Sequence, residues 1–97
     1  MAQFHVYDIG QDFLVLDLQS DWLEVGTRVV APLYRSHTAP RPIGNLTPEF
    51  NINGTPHTLL TAKMTAVSEH SLHAPIASLA EQDYDIRKAL DMVFSGF

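Results

Sequence analysis

The chain contains no cysteine. That removes disulfides, thiol nucleophiles and cysteine-ligated zinc in one step, and it fits a reducing compartment. Positive charge is scarce as well: six Lys and Arg stand against eleven Asp and Glu, for a net charge of −5. Arg28, Arg35, Arg41, Lys63, Arg87 and Lys88 are scattered along the chain. Nucleic-acid binding rests on basic residues gathered on one face to neutralise phosphates, so direct contact with DNA or RNA is disfavoured and a protein partner is favoured. No apolar run approaches the ~18 residues needed to span a bilayer. The opening Met1-Ala2-Gln3-Phe4-His5 has neither a basic n-region nor an apolar h-region, so no secretory signal is expected. The expected location is the cytoplasm, with no membrane partner.

Catalytic signatures are missing too. There is no G-x-S-x-G elbow, H-E-x-x-H, phosphate-binding G-x-x-x-x-G-K-[ST] loop or G-x-G-x-x-G. Five histidines are present, but only His70 and His73 are close in sequence, and no carboxylate lies at a metal-motif offset from them. They read as solvated surface residues. The expectation is a protein that is not an enzyme, with no catalytic residues, no metal and no cofactor.

What is present is a hydrophobic content of 45% over 97 residues, enough for one core, so residues 1–97 are expected to form one domain. Gln3 to Tyr7 alternates, placing Phe4 and Val6 on one side of a strand and Tyr7 on the other. Asp8-Ile9-Gly10-Gln11-Asp12 supplies turn residues. Phe13 to Leu18 is a nearly continuous apolar run, which suits a strand buried on both faces. Gln19-Ser20-Asp21 ends it, and Trp22 and Leu23 follow in a loop. Trp22, the only tryptophan, either caps one end of the sheet or projects as an interface anchor. Thr27 to Ala31 is β-branched and reads as a third strand closed by Pro32.

From Ser36 to Pro48 the pattern dissolves around Pro40, Pro42, Gly44 and Pro48. A loop of this length in a small protein usually has a task. Glu49 to Ile52 and Thr55 to Thr61 flank Asn53-Gly54, a dipeptide that tolerates positive φ at both positions of a type I′ hairpin. Ala62 to Val67 either extends that strand or bulges from it, and Leu72 falls in a further short strand before Pro75. The fold class is therefore α+β and mainly β, with five to six strands and one C-terminal helix.

That helix is the most legible element. Ile86, Ala89, Leu90, Val93, Phe94 and Phe97 lie at i, i+3, i+4, i+7, i+8 and i+11, one stripe of an α-helix. Tyr84, Lys88, Asp91 and Ser95 occupy the other face. Ser78-Leu79-Ala80-Glu81 has capping-box spacing, so the helix is expected over roughly 79–96, with Gly96 as its C-terminal cap. Phe97 either folds back onto its own stripe or projects as a docking tip.

Several pieces of the chain together resemble the CcdB family of toxins. They are Gln3-Phe4-x-Val6-Tyr7, Asp17-x-Gln19-Ser20-Asp21, Arg28-x-Val30-x-Pro32-Leu33, Met64-x-x-Val67, and Asp85-Ile86-x-x-Ala89 running into Phe94-x-Gly96. They occur in family order, whereas Ser36 to Pro48 does not match. The resemblance implies an antiparallel sheet forming a partly open SH3-like barrel, and a homodimeric, non-enzymatic toxin of a type II toxin–antitoxin module. Such a toxin binds the gyrase A protein of DNA gyrase and traps the gyrase–cleaved-DNA complex. It also implies a cognate CcdA-like antitoxin with a disordered segment, which releases gyrase and co-represses the operon.

Carried over by position, the gyrase-binding set is Trp22, Leu23, Asp83, Tyr84, Asp91, Ser95, Gly96 and Phe97. The antitoxin is expected at exposed loops: Asp8, Ile9, Gly10, Gln11 and Asp12 after the first strand, with the proline-rich segment Ser36 to Pro48 as a second candidate. Two positions depart from the best-known members, which carry tryptophan at Ser95 and isoleucine at Phe97. A detoxified interaction module is one alternative. Another is an endoribonuclease of the MazF/Kid type, for which Arg28, Arg35 and His37 are the candidates.

Overall fold

The computed structural model describes residues 2–97. Seven strands precede one helix: β1 (His5–Asp8), β2 (Leu14–Asp17), β3 (Thr27–Arg35), β4 (Glu49–Ile52), β5 (Thr55–Leu59), β6 (Thr65–Ser68), β7 (Ala77–Ser78) and α1 (Asp83–Ser95). They pair antiparallel throughout, in the order β4-β5-β3-β2-β1-β7, with β6 also on β3. Asn53 at the β4–β5 turn donates to the Ile76 carbonyl beside β7 at 3.4 Å. That contact draws the two end strands together, and the sheet is a nearly closed barrel.

Alternation along β1 and β2 divides the apolar residues between two clusters. Phe4, Val6, Leu14 and Leu16 join Leu33, Leu59, Ile86 and others in the larger one. Tyr7 and Val15 turn the other way, onto Val30 and Leu72. All four residues of β2 are buried, so the apolar run from Phe13 encodes a strand covered on both faces.

β3 runs on past Pro32, contrary to the expectation that proline would close it. Leu18 donates its N–H to the Val29 carbonyl. Because bonded pairs recur every second residue, Val15 and Pro32 face each other at a non-bonded position of the β2–β3 ladder. The ring nitrogen therefore points to the other edge of β3. There β6 has ended at the Val30–Thr65 pair, and Leu60, the residue just past β5, donates its N–H to the Pro32 carbonyl at 2.9 Å. The missing donor falls at this handover and costs one bond of a ladder end.

The Asn53-Gly54 turn forms as expected, with φ of 52° and 88° and the Ile52–Thr55 pair closing a two-residue loop. Two other readings are corrected. Ala62 to Val67 neither continues β5 nor simply bulges: a 3-10 turn over Thr61–Lys63 redirects the chain, and β6 then pairs with β3 instead. Leu72 is not in a strand; it plugs the smaller cluster from the end of a 3-10 turn, and the last strand lies beyond Pro75.

The helix is also shorter than its capping-box signal suggested. A 3-10 turn occupies Ala80–Gln82 and α1 starts at Asp83. Ser78 Oγ accepts the Ala80 N–H at 3.3 Å, a local turn that leads into the 3-10 segment and not directly into α1. Asp83 and Asp85 complement the helix dipole in the first turn. Gly96, at φ 81°, ends the helix by donating to the Met92 carbonyl. Ile86 and Ala89 seat α1 on the larger cluster. The loop from Ser36 to Pro48 braces it: its 3-10 turn, Gly44–Leu46, packs against α1 and is tied down where Thr61 donates to the Leu46 carbonyl at 2.7 Å.

Candidate interaction surface

The apolar stripe of α1 outruns the body of the protein. Ile86 and Ala89 are buried and Leu90 and Val93 are half-buried, but Phe94 is 72% and Phe97 87% exposed. Phe97 thus does not fold back onto its stripe. On the outer face Asp83, Tyr84, Lys88, Asp91 and Ser95 are all exposed. Arg87 pairs with Asp83 at 3.6 Å, and the Lys88 ammonium sits 5.5 Å from the centre of the Tyr84 ring. Asp83, Tyr84, Arg87, Lys88 and Asp91 line a shallow hollow along the helix that stops short of Ser95.

The loop after β2 is the second projecting feature. Trp22 is 96% exposed, and Leu23 and Val25 flank it in the open. Trp22 therefore caps nothing. Beneath it lies a polar network. Asp17, wholly buried, accepts from Arg28 Nε at 2.9 Å and from the Gln19 N–H at 3.0 Å, and Arg28 Nη2 lies 2.9 Å from the same carboxylate. Burial pushes the Asp17 carboxyl above its ordinary value of 3.8; the bonds and charge of Arg28 and the Gln19 N–H pull it back without cancelling the effect.

Two noncovalent contacts on adjacent residues join loop and helix. Asp21 accepts the Gln3 N–H at 2.8 Å, and the neighbouring Phe4 ring carries the Arg87 guanidinium 5.3 Å from its centre. Trp22 and Leu23 are thereby placed on the flank from which α1 rises. Asp83, Tyr84, Asp91, Ser95, Gly96 and Phe97 lie along α1 and its tip.

The loop Asp8–Asp12 lies elsewhere. It joins β1 to β2 at the end of the hairpin opposite the Trp22 loop, about 13 Å away along four residues of strand. Its backbone is left-handed at Gly10, Gln11 and Asp12, and it is pinned by Asp8 Oδ1 accepting the Gly10 N–H, by the Ile9 N–H donating to the Phe13 carbonyl and by the Phe13 N–H donating to the Gly10 carbonyl. The two sets of candidate residues form separate surfaces.

The ribonuclease candidates are not brought together. Arg28 is buried near one end of β3 and committed to Asp17. Arg35 and His37 are exposed at the other end, about 23 Å along the strand. His70 and His73 are exposed, while His57 is buried with Nδ1 2.9 Å from the Thr55 carbonyl. Among the described residues, no three His, Asp or Glu are placed to hold a metal ion, and no helix is long and apolar enough to cross a membrane. What the sequence reading missed is the network: Asp17 and Arg28 are charges embedded in apolar strands, and that placement is itself the signal of a buried pair.

Together these features make a nearly closed β-barrel that projects aromatic side chains from a helix tip and a loop. The family model for the CcdB protein matches residues 3–96. The chain belongs to the CcdB family, and is thus a toxin of a toxin–antitoxin pair. No curated protein matches it.

Proposed function

We propose that the protein poisons DNA gyrase, binding the gyrase A protein through α1, its C-terminal tip and the Trp22 loop. It acts as a homodimer seated between the two gyrase A copies of the enzyme. The observation that carries this reading is the unpartnered aromatic end of α1, with Phe97 87% exposed. An apolar side chain held in water by a capped helix gains free energy only when a partner covers it. The contact set is Trp22, Leu23, Asp83, Tyr84, Asp91, Ser95, Gly96 and Phe97.

The toxin performs no bond chemistry in this scheme. It holds gyrase on cleaved DNA because it binds that state more tightly than the resealed one. Turning a 1% population into 99% requires about a 10⁴-fold preference. An aromatic anchor supplies roughly 30- to 1,000-fold of affinity. Ser95 contributes none of this area, and Phe97 and Trp22 take over the anchoring. The antitoxin binds at Asp8–Asp12 through a segment that orders as it docks, displaces the toxin from gyrase, and shares in repressing the operon.

A supercoiling assay with the purified full-length protein and a form lacking Ser95 to Phe97 tests the proposal. Inhibition with accumulation of cleaved DNA, lost on truncation while folding and antitoxin binding persist, is the expected result. A folded full-length protein that leaves supercoiling untouched, yet binds antitoxin tightly and does not slow growth, overturns it in favour of a detoxified module. Cleavage of RNA by the purified protein would overturn it in favour of a ribonuclease.

A further inference from the structure

We propose that Gln19, supported by Arg28, is a positioning residue: it holds the Ser20–Gly26 loop in one conformation and so presents Trp22 ready-formed to its partner. The inference rests on reading Trp22 as a gyrase contact and concerns how that contact is built.

Residues 20 to 26 are all exposed, so packing gives the loop little to rest on. Its support comes from below. The buried Gln19 amide uses both ends: Nε2 donates to the Leu23 carbonyl at 2.8 Å, and Oε1 accepts the Val29 N–H at 2.9 Å. One side chain thus ties the residue after Trp22 to the strand that follows the loop. Arg28 Nη2 donates to the Gln19 carbonyl at 3.0 Å and lies 3.5 Å from Asp21 Oδ1. Ser20 completes the turn, accepting the Trp22 N–H at its hydroxyl and the Leu23 N–H at its carbonyl, both at 3.2 Å. Asp17, Gln19 and Arg28 converge under this loop, and Asp21 reaches Arg28 from within it.

Stability alone does not account for such a network. Desolvating an ion pair offsets most of its attraction, and well-packed apolar residues of similar volume often do as well. What polar residues add is geometry, because each bond has one donor, one acceptor and a direction. Here the bonds fix the two ends of a seven-residue excursion with a tryptophan at its crest. A contact residue held in its bound position avoids the ordering cost of association, which corresponds to about 2- to 10-fold in affinity per immobilised side chain.

Two variants of the full-length protein separate positioning from folding. Gln19→Glu keeps an oxygen for the Val29 N–H but removes the donor to Leu23 and sets a carboxylate against that carbonyl. Gln19→Met removes both bonds at similar length. Trp22 is the only tryptophan, so its fluorescence anisotropy decay reports on this loop alone. A fast component in both variants, with the far-ultraviolet circular dichroism of the sheet unchanged, is expected. Folded variants whose decay matches the parent overturn the proposal.

The gyrase arm uses a double-mutant cycle. Gln19→Glu should weaken supercoiling inhibition by about 2- to 10-fold in the parent and not at all in a Trp22→Ala background. An equal loss in both backgrounds overturns the proposal, since Gln19 would then act by another route. If Trp22→Ala leaves inhibition unchanged while the anisotropy still responds, the positioning role stands and Trp22 is removed from the gyrase contact set.

Discussion

Asp17 and Arg28 show how much a single residue's surroundings decide. Arg28→Met would leave the wholly buried Asp17 carboxylate without its counter-charge, at a cost of about 3–5 kcal/mol. Replacing both partners by apolar residues should recover most of that loss, and urea unfolding of the single and double variants measures it. Titration adds a second test. The folded-state pKa of Asp17 lies above 3.8, so the folded protein binds this proton more tightly than the unfolded chain does. The stability from that proton is full below 3.8 and is lost as pH rises through the folded value. The lead of the parent over Asp17→Asn should therefore shrink as pH is raised from 3.8, as followed by thermal melts; a widening lead would contradict the shift. None of this was visible from spacing. Asp17 and Arg28 are 11 residues apart, and only the register of β2 against β3 makes them neighbours. Trp22 was ambiguous for the opposite reason, because an aromatic in a loop fits a cap and an anchor equally well until the backbone shows which way it points.

At the scale of the element, α1 illustrates where periodicity succeeds and where it stops. The stripe from Ile86 to Phe97 predicted the helix and its core-facing side. It carried no information on where the body beneath the helix ends, since that depends on the bracing 3-10 turn at Gly44–Leu46. The same stripe thus does two kinds of work. Ile86→Ala, within the core, should cost about 2–5 kcal/mol. Phe97→Ala, at the exposed end of the stripe, should stay within about 0.5 kcal/mol yet weaken gyrase binding. Chemical denaturation and a supercoiling assay on the two variants check both halves. The hairpin at Asn53-Gly54 was readable because its turn chemistry is local. Strand β7 was not, as two residues pair with β1 across some seventy positions of chain and leave no periodic trace.

For the whole molecule, net charge restricts the partners. A protein of charge −5 with scattered basic residues gains nothing from releasing counterions off a phosphate backbone. Mobility-shift titrations with duplex DNA should give no retained complex even at low salt, and DNA should enter the assembly only through gyrase. A complex with free duplex that weakens steeply as salt rises would contradict this. Composition alone carried that conclusion, whereas the mainly β class rested on the pattern of each strand segment. The position of the handover on β3 needed coordinates, because proline at position 32 reads as a strand breaker until both neighbours of the strand are known.

That handover has a mechanical meaning. β3 is the spine of the sheet, gripped along its first half by β6 and along its second by β5, and at Pro32 it has no amide to bind either. The sheet thus contains a seam. Opening of β6 need not propagate into the β4–β5 hairpin, and the hairpin can loosen while β6 stays zipped. Native-state hydrogen exchange should resolve two groups of amides on β3, one on each side of Pro32, each with its own opening free energy. A barrel with such a seam yields piecewise under load.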